Sequence, residues 1–129
     1  MSLLTTEEYK AIAAGLTRPP QAFIDGSFRP AISGKTFATT NPATGAVLAH
    51  VASCGPEDVD FAVQKARDAF EDGRWSHLCP RKRKEILIRF SDLIVQSKNE
   101  LALTETLDMG KPISNELSVD VMGAKNTIS

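Results

Sequence analysis

The chain has 129 residues, 42% of them hydrophobic and 24% charged, which suits one soluble domain with its own core and leaves no room for a second. Fifteen basic against sixteen acidic side chains give a formal charge of -1, so no overall field draws the protein to nucleic acid or to an anionic membrane. No segment is apolar over the depth of a bilayer. The Met1–Gly15 stretch carries Glu7 and Glu8 and lacks the unbroken apolar run of a secretory signal, so the expected location is cytoplasmic, with Cys54 and Cys79 reduced.

Thr5 and Thr6 ahead of Glu7 and Glu8 cap a short helix through Gly15, with Tyr9, Ile12, Ala13 and Leu16 on one side, and Pro19 and Pro20 end it. Ala22 to Asp25 and Ser27 to Arg29 flank Gly26, and an Asp-Gly pair between short apolar-bearing runs predicts a tight hairpin. A second hairpin follows. Thr36 to Thr40 is β-branched, Asn41-Pro42 and Thr44-Gly45 punctuate it, and Val47, Ala49 and Val51 alternate on the return strand, which turns His50 to solvent.

Gly55-Pro56-Glu57-Asp58 places proline in a first helical turn with two acids at the positive end of the dipole. The helix it opens is expected to turn Val59, Ala62, Val63, Ala66 and Phe70 inward. Asp72-Gly73 breaks it, Trp75 sits in the connection, and Pro80 starts a helix whose face is Ile86, Leu87, Phe90, Leu93 and Ile94. A third helix, from about Asn99 to Asp108, ends at Gly110, which takes a left-handed cap, and at Pro112, which blocks further winding. Ser114 then caps a last helix carrying Ile113, Leu117, Val121, Ala124 and Ile128, which runs uncapped into the final residue. Two ribbons and about four helical segments do not alternate as a parallel sheet requires, and two short hairpins offer little area to cover these stripes. Burial is therefore expected to be unfinished.

From Phe23-Ile-Asp-Gly-Ser-Phe28 through Asn41-Pro-Ala-Thr-Gly45 to Leu107-Asp-Met-Gly-Lys-Pro112, the sequence resembles the aldehyde dehydrogenase superfamily. Glu57-Asp58-Val59-Asp60, Ala66-Arg67, Phe70, Trp75, Pro80 to Leu87 and Leu93-Ile94 fall in that family's order, and the resemblance covers nearly the whole chain. Within the family it is similar to bacterial enzymes acting on γ-glutamyl-aminobutyraldehyde and to related broad-range oxidisers. The resemblance implies an α/β parent, several-fold longer than this chain, of which residues 1–129 are an incomplete amino-terminal part of the cofactor-binding domain. Its leader helix would lie in 1–20, its hairpins in 21–52 and its helices in 56–129.

The implied chemistry is oxidation of an aldehyde to a carboxylic acid, with a cysteine thiolate attacking the carbonyl, hydride passing to NAD or NADP, and water releasing the acyl group. The family's nucleophile, general base, oxyanion-hole asparagine and nucleotide-binding segments match no position here. No catalytic or cofactor-binding residue is assigned, and neither cofactor binding nor activity is expected of the chain alone. Some relatives hold a monovalent cation near the positions matching Thr39 and Asp108, with further ligands from elsewhere, which makes these two the candidate metal residues. The implied partners are the remainder of the subunit or a second copy, with the aldehyde as substrate of the parent.

Other readings of the same residues are structural. Cys54 and Cys79 with His50 or His77 hold the residue types of a thiolate enzyme, yet neither surrounding matches the family's cysteine, and the four show none of the paired short spacings of a zinc site. Arg81-Lys-Arg-Lys84 reads as a solvated helix face paired to acids such as Glu85, Asp72 or Glu71, and Lys111 as a partner of the exposed carbonyls at the preceding helix end. The alternative function is a non-catalytic binding or assembly module that docks through exposed helix faces on a full-length homologue or on itself.

Overall fold

A computed structural model describes residues 3–17 and 19–128. The expected run of the last helix into Ser129, and Met1, Ser2 and Arg18 of the leader, lie outside them. The chain divides into two units interleaved in sequence. The first takes the amino terminus to Thr17, Asn41–Ala46, and Pro80 onward, and the second takes Arg18–Thr40 and Val47–Cys79.

In the first unit, helix α1 (Thr6–Gly15) opens on a capping box: Thr5 Oγ1 accepts from Glu8 N–H at 3.3 Å, and Glu8 Oε2 accepts from Thr5 N–H at 2.7 Å. Helices α3 (Pro80–Gln96) and α4 (Lys98–Met109) follow, then α5 (Ile113–Asn115), a π-helical turn over Glu116–Asp120, and α6 (Val121–Ile128). Ala102, Leu117 and Val121 form the core, with Tyr9, Ile94 and Ile113 packed on it. Leu117 and Val121 are thus buried as expected, whereas Ala124 is exposed.

The expected face of α3 is largely wrong. Ile86, Leu87, Phe90 and Leu93 are exposed, Ile94 alone of that set is half-buried, and the fully buried residue is Ser91. The reason is steric and polar together: α3 packs on α6 through the small serine, whose Oγ donates to the carbonyl of Lys125 at 3.4 Å. The apolar stripe is left outward.

In the second unit, β1 (Ala22–Ile24) pairs antiparallel with β2 (Ser27–Arg29) through Asp25-Gly26, both at positive φ (53° and 74°), the backbone of a primed two-residue turn. Phe23 and Phe28 face each other across this ribbon at 5.0 Å. Strands β3 (Thr36–Thr40) and β4 (Val47–Ala52) form the second antiparallel pair. A register shift between Thr39 and Thr40 pairs them with Ala49 and Val47, so the expected alternation fails at its start and Val47 is exposed. His50 is exposed, as its phase predicts.

Helix α2 (Pro56–Glu71) starts at Gly55 and Pro56 as expected, but of its expected inward stripe only Ala62 is half-buried and the rest faces out. Val59, Val63 and Phe70 are 56%, 62% and 62% exposed, and Ala66 is exposed too. Phe61, Ala62, Lys65 and Ala69 are the half-buried side, with the Arg29 guanidinium 4.4 Å from the Phe61 ring centre. The helix carries two apolar stripes, and the β1–β2 ribbon meets one of them through Arg29 over Phe61 and Asp25 beside Lys65, at 3.9 Å. Asp58 fixes its start, accepting from Gly55 N–H at 2.8 Å and from Ile32 N–H at 2.9 Å, and is buried.

Candidate functional site

A polar cluster with a buried carboxyl lies in the first unit, where the glycine stop leads into the π turn. Gly110 adopts the left-handed conformation (φ 77°) and its N–H donates to the Thr106 carbonyl at 2.9 Å, closing α4 as expected. Pro112, not Ser114, is the residue that caps the next helix. It has no side-chain donor or acceptor, and its carbonyl accepts from Asn115 and Glu116 N–H instead. Ser114 lies inside α5 and its carbonyl accepts from Ser118 Oγ. Val121 N–H reaches back to the Glu116 carbonyl, and this five-residue step widens the turn.

The widened turn carries Glu116 inward, to complete burial, where neither carboxylate oxygen has a hydrogen-bond donor. Lys111 Nζ stands 3.7 Å from Glu116 Oε1, outside hydrogen-bonding range, and is itself hydrogen-bonded to Asp120 Oδ2. Burial pushes the Glu116 carboxyl above the ordinary carboxylate range, and the neighbouring Glu105 carboxyl adds to it. The hydrogen bond to Lys111 holds Asp120 below that range, and the same bond raises Lys111. Lys111 therefore answers side-chain acids rather than the carbonyls at the end of α4. Beside this cluster runs an open groove of about 480 Å³, with Phe90, Leu93, Leu101 and Val121 as its apolar side and Glu105 and Asp120 as its acids.

Sequence reasoning missed Glu105, Glu116 and Asp120. A signal was present: Ile113, Glu116, Leu117, Asp120 and Val121 share one helical stripe, so two acids sit at positions where the pattern calls for apolar residues. The candidate metal residues lie elsewhere. Thr39 is half-buried in β3 at the register shift, and Asp108 is exposed in the last turn of α4. Among the described residues no group of three or more His, Cys, Asp or Glu side chains is placed to hold a metal ion, and one hydroxyl with one carboxylate falls short of the several oxygens a hard cation takes. Cys54 and Cys79 are free and exposed. Arg81 and Lys82 both pair with Glu85, at 3.1 and 3.0 Å. No helix among the described residues is long and apolar enough to cross a membrane.

The profile of the aldehyde dehydrogenase family matches residues 28–129. Aminoacetaldehyde dehydrogenase of Pseudomonas aeruginosa is 53% identical over 126 residues, which is 98% of this chain and 25% of that protein. The NADP/NAD-dependent aldehyde dehydrogenase PuuC of Escherichia coli is 42% identical over 90% of the chain and 23% of its own length. Among solved structures, the indole-3-acetaldehyde dehydrogenase AldA of P. syringae, in complex with NAD+, superposes with a TM-score of 0.94 at 47% identity over 98% of this chain and 26% of that one. Gamma-glutamyl-gamma-aminobutyraldehyde dehydrogenase of Burkholderia cenocepacia does so with a TM-score of 0.91 at 47% identity, over 95% and 25%. The chain spans about a quarter of the length of the relatives it matches.

Proposed function

Because the chain belongs to the aldehyde dehydrogenase family, we propose that it is the amino-terminal part of an NAD(P)-dependent aldehyde dehydrogenase subunit, and that the whole subunit oxidises an aldehyde to a carboxylic acid. The observation that carries this reading is the pairing of a match along 98% of this chain with only 25% of the relative's length. The role assigned to these residues is to complete and brace the cofactor-binding domain. The nucleophile, the general base and the nucleotide-binding segments belong to the rest of the subunit, where NAD or NADP accepts the hydride. The parent is placed in the cytoplasm, in keeping with two free cysteines and with bacterial relatives, and its aldehyde belongs to the amino- or aryl-substituted kinds named for those relatives.

The cation expected at Thr39 and Asp108 belongs to this reading as well, with its remaining oxygens supplied from outside residues 1–129. The test is to express a longer polypeptide that carries this segment and follow reduced nicotinamide. Aldehyde-dependent formation of NADH or NADPH is expected, and its absence across aliphatic, amino- and aryl-aldehydes would overturn the assignment. A second reading, the assembly module, draws on the exposed Val59, Val63 and Phe70 of α2 and the exposed Ile86, Leu87, Phe90 and Leu93 of α3. Light scattering that finds a discrete, sharply melting dimer of the 129-residue chain would select it.

A further inference from the structure

We propose that Lys111 latches the π turn: its one ammonium keeps Glu116 in the core and Asp120 at the core's edge, and without it residues 116–121 rewind as regular α-helix. The inference stands on the first unit alone and does not depend on the function proposed above.

Geometry ties the turn to the buried carboxyl. A regular helix turns about 100° per residue, which sets Glu116, five positions before Val121, roughly 140° round from it. That is the margin of the apolar side, where a carboxyl reaches water. Here Val121 N–H closes on the Glu116 carbonyl instead, so the two residues stand one above the other and both are buried. Neither Glu116 carboxyl oxygen then meets a hydrogen-bond donor, which is costly for any polar group and more so for a charge.

Lys111 offsets that cost. Among the described residues it is the one cation in ion-pair contact with Glu116, with Nζ 3.7 Å from Oε1. Burial and the neighbouring acids push the Glu116 carboxyl up, and Lys111 pulls the other way. The same ammonium is hydrogen-bonded to Asp120 Oδ2. The two acids are not equivalent, however. The Asp120 side chain is 34% exposed and has water to turn to, whereas that of Glu116 is at 0%. Loss of the cation therefore falls on Glu116, as it does whenever one partner of a buried pair is removed.

The packing also decides which side of the turn gives way. Helix α6 is held by Val121 in the core and by the Lys125 carbonyl, which accepts from Ser91 Oγ at 3.4 Å. Helix α5 has three residues, of which Ser114 and Asn115 are exposed and Ile113 is half-buried. Rewinding thus swings α5 and Glu116 outward. Leu117, four positions before Val121, stays on the core side of a regular helix.

The test is NMR of the 129-residue chain at neutral pH, measuring the scalar couplings across hydrogen bonds that report which carbonyl accepts from Val121 N–H, together with thermal melts. In the parent the coupling is expected to the Glu116 carbonyl. In Lys111→Met it should move to the Leu117 carbonyl, and the chain should melt about 10 °C below the parent. Asp120→Asn leaves the cation beside Glu116, so the coupling should stay where it is and the melt should fall by less. Adding Glu116→Leu to Lys111→Met replaces the buried pair by apolar side chains of similar volume and should recover most of the loss. The idea is overturned if Lys111→Met keeps the parent's coupling, or if Asp120→Asn moves it and Lys111→Met does not. Should Lys111→Met fail to fold, the double variant decides: a chain that stays unfolded with Glu116→Leu overturns the latch, because no buried carboxyl is then left for the cation to serve.

Discussion

Gly110→Val is expected to destabilise the chain by about 3 kcal/mol in urea unfolding. Two costs add. A β-branched residue at φ 77° is forced into the left-handed region, at roughly 1–2 kcal/mol. Its Cβ also stands 2.8 Å from Cγ of Pro42, a ring atom that cannot swing aside, and such overpacking costs roughly 1–3 kcal/mol. Gly110→Asn separates the terms, because asparagine tolerates the left-handed backbone yet keeps the Cβ contact. It should therefore retain about half of the loss. A Gly110→Val chain within about 0.5 kcal/mol of the parent would mean that the stop after α4 does not depend on this close approach.

The second large effect lies in the core. Leu117→Ala is expected to cost about 3 kcal/mol, within the range of roughly 2–5 kcal/mol for emptying a buried leucine site. Leu117 is 3% exposed and belongs to a core of three buried residues, so few neighbours can close over the cavity. Val119, two residues on and 61% exposed, is the internal control. Val119→Ala should change stability by less than about 0.5 kcal/mol. Equal losses at the two positions would show that the first unit is not built around Leu117.

What could be read from the sequence is what local backbone chemistry dictates. The Thr5–Glu8 cap, the Asp25-Gly26 turn and the Gly110 stop each depend on residues within a few positions of one another, and all three stand where the sequence predicts. What escaped depends on tertiary choice. Helix α2 carries two apolar stripes, and local pattern does not say that Phe61, under the Arg29 guanidinium, and Ala62 are half-buried while Val59 and Val63 are exposed. Helix α3 turns a serine to α6, which an apolar pattern cannot anticipate.

The stretch from Ile113 to Ile128 reads as one regular helix at a period of 3.6. A π turn over Glu116–Asp120 interrupts it and brings a glutamate to a core position, so its departure from regularity and its buried carboxyl are one event. Lys111 was legible as a cation near a helix end. Its true partners, Asp120 and Glu116, lie nine and five residues ahead, and only the wound turn brings them within reach.

The match along 98% of this chain with only 25% of the relative's length motivates the claim on which the proposal rests, that the family's chemistry is carried outside these 129 residues. The direct measurement is a spectrophotometric assay of the purified chain with NAD+ or NADP+ and a panel of aldehydes, run across pH with and without prior alkylation. The account predicts no aldehyde-dependent absorbance of reduced nicotinamide above the blank in any of them. Sustained turnover that disappears when Cys54 or Cys79 is alkylated would contradict it.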